Sequence, residues 1–122
     1  MLLGTEWLVD AEGCRPEALR DLDVLRALLD DVVRKLELHV VGSPAWHRFP
    51  EPGGITALLL LTESHLACHT YPEHGSATFN LYCCRPRPRY AWEDALRTAL
   101  GARRVRVHVV ERTSEPRRGG GA

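Results

Sequence analysis

The chain has 122 residues, 44% of them hydrophobic and 26% charged, which is the composition of one globular domain able to bury a modest core. Sixteen basic residues, all arginine except Lys35, balance sixteen acidic ones, so no net field draws the chain to nucleic acid or to an anionic membrane. The four cysteines, at 14, 68, 83 and 84, show neither C-x-x-C spacing nor a disulfide framework. The longest apolar run, Ile55–Leu61, is far too short to span a membrane, and the N-terminus lacks a leader pattern. The expectation is a cytoplasmic protein with reduced thiols.

Residues 4–11 read as a first strand. Pro16 is placed for the first turn of a helix. Leu22, Leu25, Leu29, Val32 and Leu36 then recur at helical spacing, with Asp23, Arg26, Asp30 and Arg34 off that face. Residues 36–42 resume as a strand broken by Ser43-Pro44, and 46–49 form a short strand or connector before the turn at 50–54. Residues 55–62 are apolar on both faces and suggest a central strand. Strands follow at 64–71 and 76–84, separated by Pro72 and a turn at 73–75. Residues 85–89 form a proline-bound loop, 90–100 a helix stopped by Gly101, and 104–111 a last strand with Arg104, Arg106 and His108 on one face. The order is β-α-β-β-β-β-α-β with one strand in doubt. Short turns favour antiparallel pairing, so the expected fold is of the α+β class: a two-layer α/β sandwich, mainly antiparallel, with two helices on one face. Residues 1–112 make one domain and 113–122 a disordered tail.

The middle of the chain concentrates reactive groups. If 76–84 is a strand, Ala77, Phe79, Leu81 and Cys83 share an apolar face, and Thr78, Asn80, Tyr82 and Cys84 the opposite one. Cys83 is then a core residue. Cys84 is either a reactive thiol or a half-exposed one at a strand end. His65 and His69 share one strand face and could join Cys84 at a zinc ion, but finger-like spacing and a fourth ligand are missing, and no metal is expected. Ser64 lies outside any G-x-S-x-G elbow.

The stretch ESHLACHTYPEHG, Glu63 to Gly75, together with Cys84, resembles the processing site of the prokaryotic S-adenosylmethionine decarboxylase proenzymes, which are pyruvoyl-dependent. WHRFP, the glycine-rich turn after it and VVER near the end are similar to that family too, so the resemblance covers about residues 3–112. It implies self-cleavage between Glu63 and Ser64 into 1–63 and 64–122. Ser64 Oγ attacks the Glu63 carbonyl, and β-elimination leaves a pyruvoyl group at residue 64 as the covalent cofactor. That ketone then condenses with a substrate amine and accepts the electrons left by departing CO₂. The resemblance makes His69 the proton donor and acceptor of cleavage, Cys84 the acid of decarboxylation and Thr56 an assistant in processing. It makes Glu73 the partner of ribose hydroxyls and Phe49 the stacking partner of adenine. It also implies a small-molecule substrate, an aminopropyl donor for polyamine synthesis as product, and a homodimer of processed two-chain units.

Tyr71, Ser76, Asn80 and the pair Ala67-Cys68 depart from the family's usual residues near the substrate. They leave open a decarboxylase of arginine or ornithine on the same scaffold. An unprocessed binding, regulatory or metal-binding homologue is the reading from another class.

Overall fold

A computed structural model describes residues 1–115. Its elements are β1 (Leu2–Glu12), α1 (Pro16–Leu19), α2 (Leu22–Lys35), β2 (Ala45–Arg48), β3 (Ile55–Leu61), β4 (Ser64–Tyr71), β5 (Ser76–Cys83), α3 (Trp92–Leu100) and β6 (Arg104–Thr113). The strands form one antiparallel sheet in the order β2-β3-β4-β5-β1-β6. This is the expected α+β sandwich.

Sheet and helices bury one shared core. Trp7, Val9 and Ala11 from β1, Ile55, Ala57, Leu59 and Leu61 from β3, and Ala77, Phe79, Leu81 and Cys83 from β5 alternate into it. The helical stripe meets them with Leu25, Leu28, Leu29 and Val32 of α2, and Trp92, Leu96 and Leu100 of α3. Asp21 caps α2 by accepting from the N–H groups of Asp23 (3.0 Å) and Val24 (3.3 Å). Gly101 ends α3 in the left-handed conformation, φ 69°, with its N–H donating to Arg97 C=O at 3.0 Å.

The opposite sheet face carries the other parity. Its residues include Glu6, Leu8, Thr56, Leu58, Leu60, His65, His69, Asn80 and Val110. Leu58 and Leu60 are 51% and 60% exposed. β3 is therefore hydrogen-bonded on both sides, as its apolar run suggests, but only one of its faces is buried.

Two boundaries differ from expectation. Residues 36–42 are not a strand. Glu37 takes φ 55° as the chain leaves α2, and only Val40 bridges to Leu61 before the chain passes on to β2. The last strand runs through Thr113, two residues beyond expectation, because Arg112 and Thr113 still pair with Gly4 and Leu2. Residues 116–122 of the expected tail lie outside the described residues.

Candidate active site

The motif residues fall into two clusters at opposite ends of β4. The first is built by the β3–β4 pair, which sets Thr56 opposite His69. Thr56 Oγ1 and His69 Nδ1 lie 3.1 Å apart, a hydrogen bond that fixes the imidazole's orientation on an exposed face. Next to them is a cavity of about 240 Å³ lined by Phe49, Gly54, Thr56, His69, Tyr71 and Glu73. Phe49 is 51% exposed and packs edge-on against His47, with ring centroids 4.5 Å apart. Its backbone N–H donates to Gly54 C=O at 2.8 Å, which closes the turn that carries it.

Buried Thr70 holds this end together from the core side. Its hydroxyl donates to Leu19 C=O at 2.6 Å and accepts from Ile55 N–H at 2.9 Å, tying β4 to α1 and β3. Gly54 passes so close that a Cβ there would stand 2.6 Å from Thr70 O, so only glycine fits.

The second cluster surrounds the bond between Glu63 and Ser64, where the β3–β4 turn ends. Ser64 pairs with Cys83 across the β4–β5 ladder. Glu63 C=O accepts from Cys84 N–H at 3.1 Å. The Glu63 carboxylate forms an ion pair with Arg85. Cys83 is buried at 2% exposure and Cys84 is exposed, so strand alternation does separate the two thiols. Burial pushes the Cys83 thiol up; nearby Arg87 and the Ser64 hydroxyl pull the other way. Arg85, Arg87 and the contact of Ser64 with Cys83 were not expected. The R-P-R-P-R run reads only as a loop until β5 delivers it beside Glu63.

One chain does not join the two clusters. Ser64 and His69 are five residues apart on an extended strand, roughly 16 Å. The same spacing argues against the zinc alternative: His65 and His69 stand roughly 13 Å apart, and no metal-binding group of three or more His, Cys, Asp or Glu occurs among the described residues.

From His65, next to the second cluster, a polar chain crosses the open face to β6. Arg112 Nη1 donates to Glu6 Oε1 at 3.2 Å, Asn80 Nδ2 donates to Glu6 Oε2 at 2.8 Å, and Asn80 Oδ1 lies 3.1 Å from His65 Nε2. The His65 ring stacks on Tyr82, with centroids 5.7 Å apart. The Asn80 amide, opposed by partial burial and aided by Arg112, holds the Glu6 carboxyl below the usual range. Asn80 thus has a local reason: an aspartate there would set two carboxylates together. The signal was present in the sequence, as acidic alternation in β1 facing arginines in β6. No helix among the described residues is long and apolar enough to cross a membrane.

The family model for S-adenosylmethionine decarboxylase matches residues 5–113. The chain is 35% identical over 111 residues to an S-adenosylmethionine decarboxylase proenzyme of Aquifex aeolicus, covering 90% of this chain and 81% of that one. It is 38% identical over 110 residues to an arginine decarboxylase proenzyme of Aeropyrum pernix, covering 84% and 79%. The fold is similar to the crystal structure of the adenosylmethionine decarboxylase of Aquifex aeolicus, with a TM-score of 0.78 and 31% identity over 97% of both chains.

Proposed function

The chain belongs to the S-adenosylmethionine decarboxylase family, and from that premise we propose a self-processing, pyruvoyl-dependent decarboxylase acting on S-adenosylmethionine and yielding an aminopropyl donor for polyamine synthesis. The observation that carries the reading is the setting of the Glu63–Ser64 bond. The carbonyl that Ser64 must attack already accepts from Cys84 N–H. A fixed donor at that oxygen stabilises the charge that develops there as the N–C bond becomes an ester.

Once formed at Ser64, the pyruvoyl group supplies a ketone that condenses with the substrate amine and takes up the electrons left when CO₂ departs. The chain's own residues do the rest. Cys84, exposed beside residue 64, holds the proton delivered to the substrate carbon; a thiol can be reprotonated from solvent. Thr56 orients His69, whose imidazole moves protons during cleavage. Phe49 offers a ring face to a purine, and the Glu73 carboxylate accepts from vicinal hydroxyls.

The active unit is a homodimer. The open sheet face exposes Leu8, Leu58, Leu60 and Val110, a patch that a second copy would cover. A two-fold axis lying between two such faces, across the strands, exchanges the ends of β4. It sets the Thr56–His69 end of one protomer over the Ser64–Cys84 end of the other, which supports two composite sites. The processed unit is then 1–63 with 64–122, all within one domain, in the cytoplasm.

Intact mass and a denaturing gel of purified protein test the reading. Two fragments, 1–63 and a 64–122 fragment with a blocked N-terminus, are expected; a chain that stays whole overturns it. The Aeropyrum pernix relative favours a second reading, decarboxylation of arginine, in which Glu73 would meet a guanidinium. Release of CO₂ from each substrate separates the two.

A further inference from the structure

Beneath the scissile bond, on the core side, is a cavity of about 10 Å³, room for about one water. Glu63, Ser64, Cys83, Arg85 and Arg87 are among its lining residues. Arg87 Nε is fully buried and has no hydrogen-bond partner among the described residues, although the same guanidinium donates through Nη1 to Pro86 C=O at 3.0 Å. A buried, unpartnered N–H on a cation is costly unless an anion arrives to meet it.

Self-cleavage makes an anion at this place. In the ester, Ser64 Oγ is bonded to the Glu63 carbonyl carbon. Elimination takes the Ser64 α-proton onto a base, in the reading above the imidazole of His69 of the partner subunit. The C–H electrons form a Cα–Cβ double bond, the Cβ–Oγ bond breaks, and Oγ leaves with Glu63 as its new α-carboxylate. The resulting enamine tautomerises to an imine as Cβ takes up a proton, and water then replaces the imine nitrogen with oxygen, releasing ammonia. One oxygen of the new carboxylate is the former carbonyl oxygen, already held by Cys84 N–H. The other is the former Ser64 Oγ, carried on the strand parity that faces Cys83 and the cavity.

We propose that Arg87 is the leaving-group residue of self-cleavage: its free Nε–H receives the second oxygen of the Glu63 α-carboxylate, while Arg85 keeps the Glu63 side chain aside. The proposal rests on the self-processing reading and adds a step-specific role to it. A charge-assisted bond to a carboxylate forms only as the leaving group departs, so it accelerates elimination and not the acyl shift.

The test follows freshly purified wild type, Arg87→Met and Arg87→Lys over time by denaturing gel, with and without hydroxylamine, and by intact mass and thermal unfolding. Arg87→Met is expected to fold, to reach the ester and to stall there. It should give a full-length band that hydroxylamine splits at 63/64, with spontaneous cleavage slowed roughly tenfold or more. Arg87→Lys should recover part of the rate. Wild-type cleavage kinetics in folded Arg87→Met overturn the proposal. So does a folded Arg87→Met chain that is whole and resistant to hydroxylamine, which would place Arg87 before the ester. A wild-type chain that never cleaves overturns the parent reading instead.

Discussion

Ser64 faces Cys83, not Cys84, across the β4–β5 ladder, while the Cys84 backbone N–H holds the carbonyl just before Ser64. The two neighbouring cysteines therefore divide into a core thiol and an exposed one. Cys84→Ala should still cleave, because the backbone donor survives, but should lose roughly tenfold or more in decarboxylation. Cys83→Ala should cost about 1 kcal/mol of stability by opening space in the core, with the processed enzyme still turning over. Fragment mass, CO₂ release and denaturant melts check both. Loss of turnover in Cys83→Ala alone would reverse the assignment.

The Thr56 hydroxyl holds the His69 ring, with Oγ1 3.1 Å from Nδ1. Thr56→Val keeps the volume and removes the bond, so cleavage should slow by roughly tenfold. Thr56→Ser should stay close to wild type. A time course of fragment appearance reads this directly, and equal rates for the two variants would leave the hydroxyl no role.

Tyr90 joins α3's entry to α2 by donating its phenol to Asp31 at 2.6 Å. Burial, and then this bond, push the phenol up; the same bond, with Lys35 and Arg34, holds the Asp31 carboxyl below its usual range. Asp31 therefore stabilises the fold above its ordinary value of about 4, and that contribution is lost as pH falls through its lower folded value. Tyr90 stabilises below its ordinary value of about 10, and that contribution is lost as pH rises through the folded one. Tyr90→Phe should cost about 1–2 kcal/mol between roughly pH 5 and 9, and the difference from wild type should shrink beyond both limits. Unfolding midpoints across pH measure it; a gap that widens in acid would contradict the assignment.

What could be read from the sequence was whatever a one-sided sheet writes as alternation. The burial of Phe79, Leu81 and Cys83 against exposed or half-exposed Asn80, Tyr82 and Cys84 follows from period two, and the α2 stripe from helical spacing. Residues 36–42 misled because their apolar character serves a different end. Leu36 and Leu38 close the core at the foot of α2, and the stretch meets β3 only through an isolated bridge, Val40 opposite Leu61, held by the Val41 N–H to Leu60 C=O and Thr62 N–H to His39 C=O bonds. The candidate site was legible in its residues but not in its geometry. A motif that looks contiguous from Ser64 to His69 becomes two separate clusters once the chain is extended, and the path that brings Arg87 under Glu63 leaves no periodic signal.

Phe49 and Glu73 line the cavity beside His69 but supply neither the nucleophile nor the proton carrier of cleavage, so their effects should fall on substrate. Phe49→Ala and Glu73→Gln should both cleave normally and raise KM for S-adenosylmethionine more than they lower kcat. Arginine and ornithine measured beside it decide the specificity. If arginine alone releases CO₂, the second reading replaces the first.

The 16 Å or so between Ser64 and His69 can be turned into a complementation experiment. Neither Ser64→Ala nor His69→Ala should process itself, the first for want of a nucleophile and the second for want of the proton carrier. In a mixed dimer, the Ser64 of the His69→Ala chain meets the His69 of the Ser64→Ala chain, and one of the two sites is complete. Co-expression with tags of different mass should therefore cleave the His69→Ala chain alone, at most in the fraction of it that sits in mixed dimers. Adding Leu58→Asp and Leu60→Asp to both chains places charges on the exposed patch; it should yield monomers by sedimentation and abolish the rescue. Absence of cleavage in verified mixed dimers would mean that both residues must come from one chain. The strand between them would then have to bend far from the extended geometry of β4.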